Sequence, residues 1–256
     1  MNKKLKNVLK VFLFIIITCA CIALGFKTRY DARIKINTIK DINTKESVGY
    51  MIKTSENNLV MIDGGNVIDK DMIKDYISTN GGEVEYWFIT NFKADNIGAL
   101  NEILTENSIE VKNIIVSLNS DDWYEVNSGE DYALITSFLE NLRKEEIMPK
   151  VCNAALRQEF KIDNLNIKVL KVAGVNATEN IIDSQTMCLK VDNMFKSVMF
   201  LSSLPINMEE DFINNNLDEI EAEGVQTYNN TLTNEILEKV LPEVYIDKGE
   251  KYIEIW

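Results

Sequence analysis

Ile89-Thr90-Asn91-Phe92-Lys93-Ala94-Asp95-Asn96-Ile97-Gly98 is the stretch that decides the fold of this chain. The run Tyr86-Trp87-Phe88-Ile89 leads into it with the composition of a buried strand. A helix-like run, 99–105, follows. Polar side chains crowded at the end of a buried strand are where α/β proteins usually keep their chemistry. Upstream, Leu59-Val60-Met61-Ile62-Asp63-Gly64-Gly65 has the same plan: an apolar strand that ends in an acid and two glycines.

Outward from these two segments the pattern continues. Residues 33–39 alternate polar and apolar, as a half-buried strand does, and 48–54 read as a second strand. Turn chemistry at Ser55-Glu56-Asn57-Asn58 precedes the strand 59–62. Residues 69–77 place Met72, Ile73, Tyr76 and Ile77 at helical spacing, with Asn80-Gly81-Gly82 as the stop. A strand is expected at 84–89 and a short buried one at 113–116. Over 132–143 an amphipathic helix carries Leu134, Ile135, Phe138, Leu139 and Leu142 on one face. Hairpins are expected at 158–172, turned at Asp163-Asn164, and at 186–201, turned at Asp192-Asn193. Helices are expected at 208–217 and 233–240, the second with Thr233 as N-cap. Strands at 243–246 and 252–255 close the chain. Two sets of strands, each with its own helices, predict an α/β chain of sheets packed face to face with helices outside. No low-complexity linker divides it, so the expected partition is an N-terminal segment, 1–26, and one domain, 27–256.

The 256 residues contain no histidine, which removes the commonest base near neutral pH and the commonest transition-metal ligand. Net charge is −13. The first 26 residues hold four lysines and no acid, so the rest carries 23 basic and 40 acidic residues. A surface of that sign repels phosphate backbones, and nucleic acid is not an expected partner.

Residues 11–26 are uncharged. With Val8, Leu9 and a snorkelling Lys10 they approach the ~20 residues of a membrane-spanning helix. Lys3, Lys4, Lys6 and Lys10 precede the run and place the N-terminus in the cytoplasm. The expectation is a single-pass anchor through residues 8–26 with 27–256 outside. A cleaved signal peptide, cut near Ala23-Leu24-Gly25, is the competing reading. Lipid attachment at Cys19 or Cys21 fits the preceding residues poorly. Cys152 and Cys188 lack metal-site spacing. They could pair in an oxidising compartment, but two buried thiols acting as small hydrophobes are the expectation.

Together these segments resemble the metallo-β-lactamase fold superfamily, and within it the hydrolase-like domain of bacterial competence and DNA-uptake proteins. That family reads strand-Asp-Gly-Gly, helix, then strand-Thr-His-x-His-x-Asp-His-x-Gly-Gly. Here the three histidine positions hold Asn91, Lys93 and Asn96, and Asp95 alone is kept. Where the family ends a strand in Thr-Gly-Asp, this chain has Leu201-Ser202-Ser203, with Ser203 in place of the metal-bridging acid. A family Asn-Asp-x-Ser corresponds to Ile182-Asp183-Ser184-Gln185-Thr186, and His-His-Gly-Ser to Tyr228-Asn229-Asn230-Thr231. The resemblance runs from about residue 33 to 247. It implies a four-layer αββα sandwich and, for intact members, metal-assisted hydrolysis.

The substitutions change that chemistry. Zinc needs imidazole and carboxylate donors on a preorganised site. Amide oxygens bind it poorly, and an ammonium has no lone pair and repels it. Asp63, Asn91, Lys93, Asp95, Asn96, Ser203, Tyr228 and Asn229 are therefore expected to line a degenerate pocket with no catalytic residue, metal or other cofactor. Oxygen donors around Asp95 and Asp63 would suit calcium, but Lys93 opposes it. Asp63 is expected to cap the loop after it, Lys93 and Asp95 to pair where a metal's charge was, and Tyr228 to fill vacated volume. The expected function is a membrane-anchored extracytoplasmic pseudoenzyme that binds a small molecule, a peptide or a cell-envelope protein. The alternative is a phosphodiesterase- or esterase-like hydrolase that works without the dinuclear zinc centre. Its nucleophile would be Ser202, Ser203 or Thr231, with Lys93 or an acid as base. A third class is an assembly component that uses its sheet surface.

Overall fold

The computed structural model describes residues 3–31, 34–38, 49–174, 182–226, 232–246 and 252–255. In chain order the helices are α1 (Lys3–Asp31), α2 (Lys70–Thr79), α3 (Ala94–Glu106), α4 (Asp121–Asn127), α5 (Tyr132–Leu142), α6 (Ile206–Asn216) and α7 (Asn234–Val240). The first strands are β1 (Ile34–Thr38), β2 (Tyr50–Lys53), β3 (Leu59–Ile62), β4 (Glu83–Val84), β5 (Tyr86–Phe88), β6 (Glu110–Val111), β7 (Ile114–Val116) and β8 (Val151–Asn153). The later ones are β9 (Glu159–Ile162), β10 (Leu165–Lys171), β11 (Cys188–Asp192), β12 (Ser197–Phe200), β13 (Gly224–Gln226), β14 (Val244–Ile246) and β15 (Tyr252–Ile255).

One sheet has seven strands in the order β15-β1-β2-β3-β5-β7-β8, and the other has six, β14-β13-β12-β11-β10-β9. Burial divides the molecule into layers. Ile36, Ile52, Ile62 and Phe88 of the first sheet share one core with Ile167, Val191, Val198 and Phe200 of the second. The opposite face of the seven-stranded sheet buries Met61 and Trp87 against Ile73 of α2, Leu100 of α3 and Phe138 of α5. The opposite face of the six-stranded sheet buries Met199 and Val225 against Phe212 of α6 and Ile236 of α7. The order helices, sheet, sheet, helices is the sandwich expected from the sequence. It also explains why β3 and β12 are buried at every position: both faces are covered, so no polar alternation survives. In the first sheet β3, β5, β7 and β8 run parallel, so their carboxyl ends share one edge. In the second, β12, β13 and β14 do the same.

Several expectations are corrected. The strand expected at 84–89 is broken at Glu85, and Glu83–Val84 instead pairs with Glu110–Val111 in a small parallel sheet. α3 starts at Ala94 rather than 99, so Asp95 and Asn96 stand in its first turn. α4 has no counterpart in the sequence reading, although Ser120 accepts from the Trp123 N–H as an N-cap. Thr233 holds the N-cap position of α7 but makes no side-chain cap bond; its hydroxyl bonds Glu209. The second hairpin turns over Asn193 to Lys196, whose backbones are hydrogen-bonded at 2.9 Å, rather than at 192–193. The first turns at Asp163-Asn164 as expected, with Asp163 at φ 53. Cys152 and Cys188 are free thiols; Cys188 is buried among the α6 and α7 contacts.

α1 is uncharged over its described side chains beyond Lys10, and those side chains are exposed. Among the described residues no helix is long and apolar enough to cross a membrane.

Candidate functional site

The parallel strand ends of both sheets meet in one buried polar network. Asp63 stands one residue past β3 in the left-handed region, φ 61, which aspartate tolerates better than most residues. Its N–H donates to the Phe88 carbonyl at 2.8 Å, and the Asp63 carbonyl accepts from Trp87 Nε1 at 3.1 Å. Oδ1 accepts from the Thr90 N–H at 2.8 Å. The backbone donor it captures thus lies on the neighbouring strand end, not in the loop after Asp63. The Thr90 hydroxyl bridges Asp63 Oδ2 at 2.7 Å and Ser202 Oγ at 2.8 Å. Burial pushes the Asp63 carboxyl up to about 7. The Thr90 and Asn96 hydrogen bonds pull the other way, and the Asp95 charge adds to the rise.

Ser202 follows β12 at φ 53, and its N–H donates to Gln226 Oε1 at the end of β13, at 2.8 Å. Ser203 comes next. Asn91 Nδ2 lies 3.2 Å from each of Ser203 Oγ, Thr186 Oγ1 and the Ile182 carbonyl, so two protons are shared among three acceptors. Thr186 and Ser203 hydroxyls are themselves 3.1 Å apart. Asn91 Oδ1 accepts the Lys93 N–H at 3.1 Å, a local turn that sets Lys93 in extended conformation as the residue before α3. The early start of α3 follows from that turn.

The structure therefore brings Asp63, Asn91, Asn96 and Ser203 together. Lys93 is half-buried; its charge acts on Asp131, whose carboxyl also accepts the Ala94 N–H. Asp95 acts on Asp63. Tyr228 and Asn229 lie outside the described residues. Neither Thr186 nor Gln226 is among the pocket residues expected from sequence. Thr186 has a signal, its place at the end of the counterpart of a family motif; Gln226 has none, because β13 itself carries no clear strand pattern.

The donor set does not fit a dinuclear metal centre. Among the described residues no three His, Cys, Asp or Glu side chains gather where an ion could be held. Asn91 turns its NH₂ toward Thr186 and Ser203, and an amide NH₂ offers a cation no lone pair.

No protein-family model matches the chain, and neither does any curated protein. Solved structures do. The chain resembles metallo-β-lactamase fold proteins. The metallo-β-lactamase fold protein YhfI from Bacillus subtilis matches with 10% identity and a TM-score of 0.46, over 77% of this chain and 70% of that one. A metallo-β-lactamase with a HARLDQ motif from Cronobacter sakazakii matches with 13% identity and a TM-score of 0.48, over 71% of each chain. BJP-1, a subclass B3 metallo-β-lactamase of Bradyrhizobium japonicum, matches with 12% identity and a TM-score of 0.43, over 70% of each.

Proposed function

We propose that this chain is a pseudoenzyme on a metallo-β-lactamase-like frame: a binding module held on the outer side of a membrane by residues 8–26. The observation that carries the loss of chemistry is Asn91. Its amide stands at a ligand position of the family pattern and is spent on groups reached from the other sheet, Thr186 and Ser203. Those bonds occupy the strand ends with protein–protein contacts. In this reading Lys93 supplies a positive charge where a metal's charge would be, and the loss of activity leaves binding as the function.

One observation favours a second reading. Ser202 sits at a left-handed strand-to-helix turn, linked through Thr90 to a carboxyl poised near neutrality. That is the outline of an activated serine. Against it, Ser202 is 6% exposed. The test is a panel of ester and phosphodiester substrates, run with and without added zinc and manganese, beside labelling by a fluorophosphonate. No turnover and no label are expected. Turnover or labelling abolished by Ser202→Ala would replace the pseudoenzyme with a serine hydrolase.

The anchor rests on exposed apolar side chains of α1, such as Phe14 at 70%, that follow a lysine-rich start. Protease added to intact cells should remove the domain and leave a membrane-bound stub. A domain protected from protease, or a mature chain that begins near Phe26, would count against an outside-facing anchor.

A further inference from the structure

Beneath α6, at the carboxyl end of β10, lies a cavity of about 380 Å³. Its apolar walls are Leu156, Leu170, Val172, Met208 and Phe212, and Lys171 lines it with them. Lys171 Nζ donates to the carbonyls of Thr186 at 2.9 Å and Ser184 at 3.1 Å, with a long contact to the Val172 carbonyl at 3.5 Å. Among the described residues no acid acts on it. Asp211 also lines the cavity but does not figure among the charges that reach Lys171. The one ionisable neighbour among those residues that does is Cys188, whose thiol burial pushes up to about 12 and so keeps neutral.

A second wall group is also incomplete. Asn216 is 2% exposed and lines the same cavity. Its Nδ2 donates to the Phe212 carbonyl at 2.7 Å, and its Oδ1 has no partner among the described residues. An ammonium drawn out of water is costly unless an opposite charge meets it, and an orphaned buried acceptor adds to the deficit. Carbonyl dipoles offset only part of the first.

We propose that this cavity binds a small amphiphile with a carboxylate head, an adjacent N–H or hydroxyl donor and a short apolar tail. The carboxylate meets Lys171, the donor meets Asn216 Oδ1, and the tail lies along Leu170, Met208 and Phe212. The volume is within the range of ligand pockets, and apolar walls with a few convergent polar groups are their usual composition. An N-acylated amino acid has all three parts. This deepens the binding-module reading by naming a ligand class, and the two fail separately: turnover would sink the first, a missing ligand response the second.

The probe is N-octanoylglycine, titrated calorimetrically into the full chain held in amphipol, with octylamine and the neutral methyl ester of the probe as controls. Saturable binding of the acid is expected, with both controls weaker by roughly tenfold or more, the size of a charge-assisted hydrogen bond. Lys171→Met should lose a similar factor and Lys171→Arg should retain most of the binding. Leu156, at the mouth and 55% exposed, can be enlarged without disturbing the core, so Leu156→Trp should weaken the acid even if Lys171→Met folds badly. No saturable binding, equal binding of octylamine, or wild-type affinity in a folded Lys171→Met would overturn the proposal.

Discussion

Unfolding stability of the full chain is expected to fall as pH rises from about 4 to about 7, and Asp63→Asn should remove most of that fall. Asp63 is buried, and its carboxyl is raised from 3.8 to about 7. A carboxyl raised on folding stabilises the native state through its protonated form. That contribution is fully present below the unfolded value and is lost as pH rises through the folded one. Between those limits the unfolded chain releases the proton and the folded chain keeps it. Integrated over the whole window the loss is on the order of 4 kcal/mol. The amide introduced by Asp63→Asn would stay neutral at every pH and could still bond Thr90. Asp131 and Asp192, also raised by burial, give a slope of the same sign, so the difference between wild type and variant is the quantity to read. Denaturant melts from pH 4 to 9 supply it. Parallel curves for the two proteins would mean that Asp63 is ionised throughout, held by its donors against its burial.

The second large effect is expected at Gly98. A Cβ there would stand 2.6 Å from the Val67 N and 3.0 Å from the Asn66 carbonyl carbon. Both are backbone atoms in a turn that Asn66 and Asp69 cap reciprocally, so neither can swing aside. Gly64 mirrors this: its Cβ would meet Leu100 Cβ at 2.7 Å. Between them the Ala99 N–H donates to the Gly65 carbonyl at 3.1 Å, and the Gly64 N–H donates to that of Asn96. The Asp-Gly-Gly loop and α3 thus touch backbone to backbone. In an open helix Gly→Ala gains about 1 kcal/mol. Here overpacking outweighs it, and Gly98→Ala should destabilise by about 2 kcal/mol or more. The shift should also draw Asn96 away from Asp63 and raise that carboxyl further. A Gly98→Ala protein as stable as wild type would show that helix propensity wins and that the contact is looser.

What could be read from the sequence follows from which interactions are local. Strands covered on both faces, such as Leu59–Ile62 and Ser197–Phe200, contain apolar runs that need no partner to be recognised. The turn at Asp163-Asn164 carries its own chemistry. The start of α3 is hidden because Lys93-Ala94-Asp95-Asn96 has no apolar period, and the turn that launches it is made by one side-chain oxygen of Asn91. α4 offers only Trp123, Tyr124 and Val126 as apolar residues in seven. The network is the least local feature: Asn91 meets Thr186 across 95 residues and Ser203 across 112. Motif order could place Asn91, Asn96 and Ser203 at one edge. It could not show that hydrogen bonds would join them to each other's sheets, or that Gln226 would hold Ser202.

Elemental analysis of the purified full chain, after exposure to zinc, iron and manganese and then mild dialysis, tests the degenerate site most directly. Strand ends whose amide and hydroxyl groups bond to each other have no set of donors for an ion. The expected result is no stoichiometric metal, and no rise in melting temperature on addition of any of the three. Retention of about one or two metal equivalents per chain, the content of an intact centre of this kind, would contradict it.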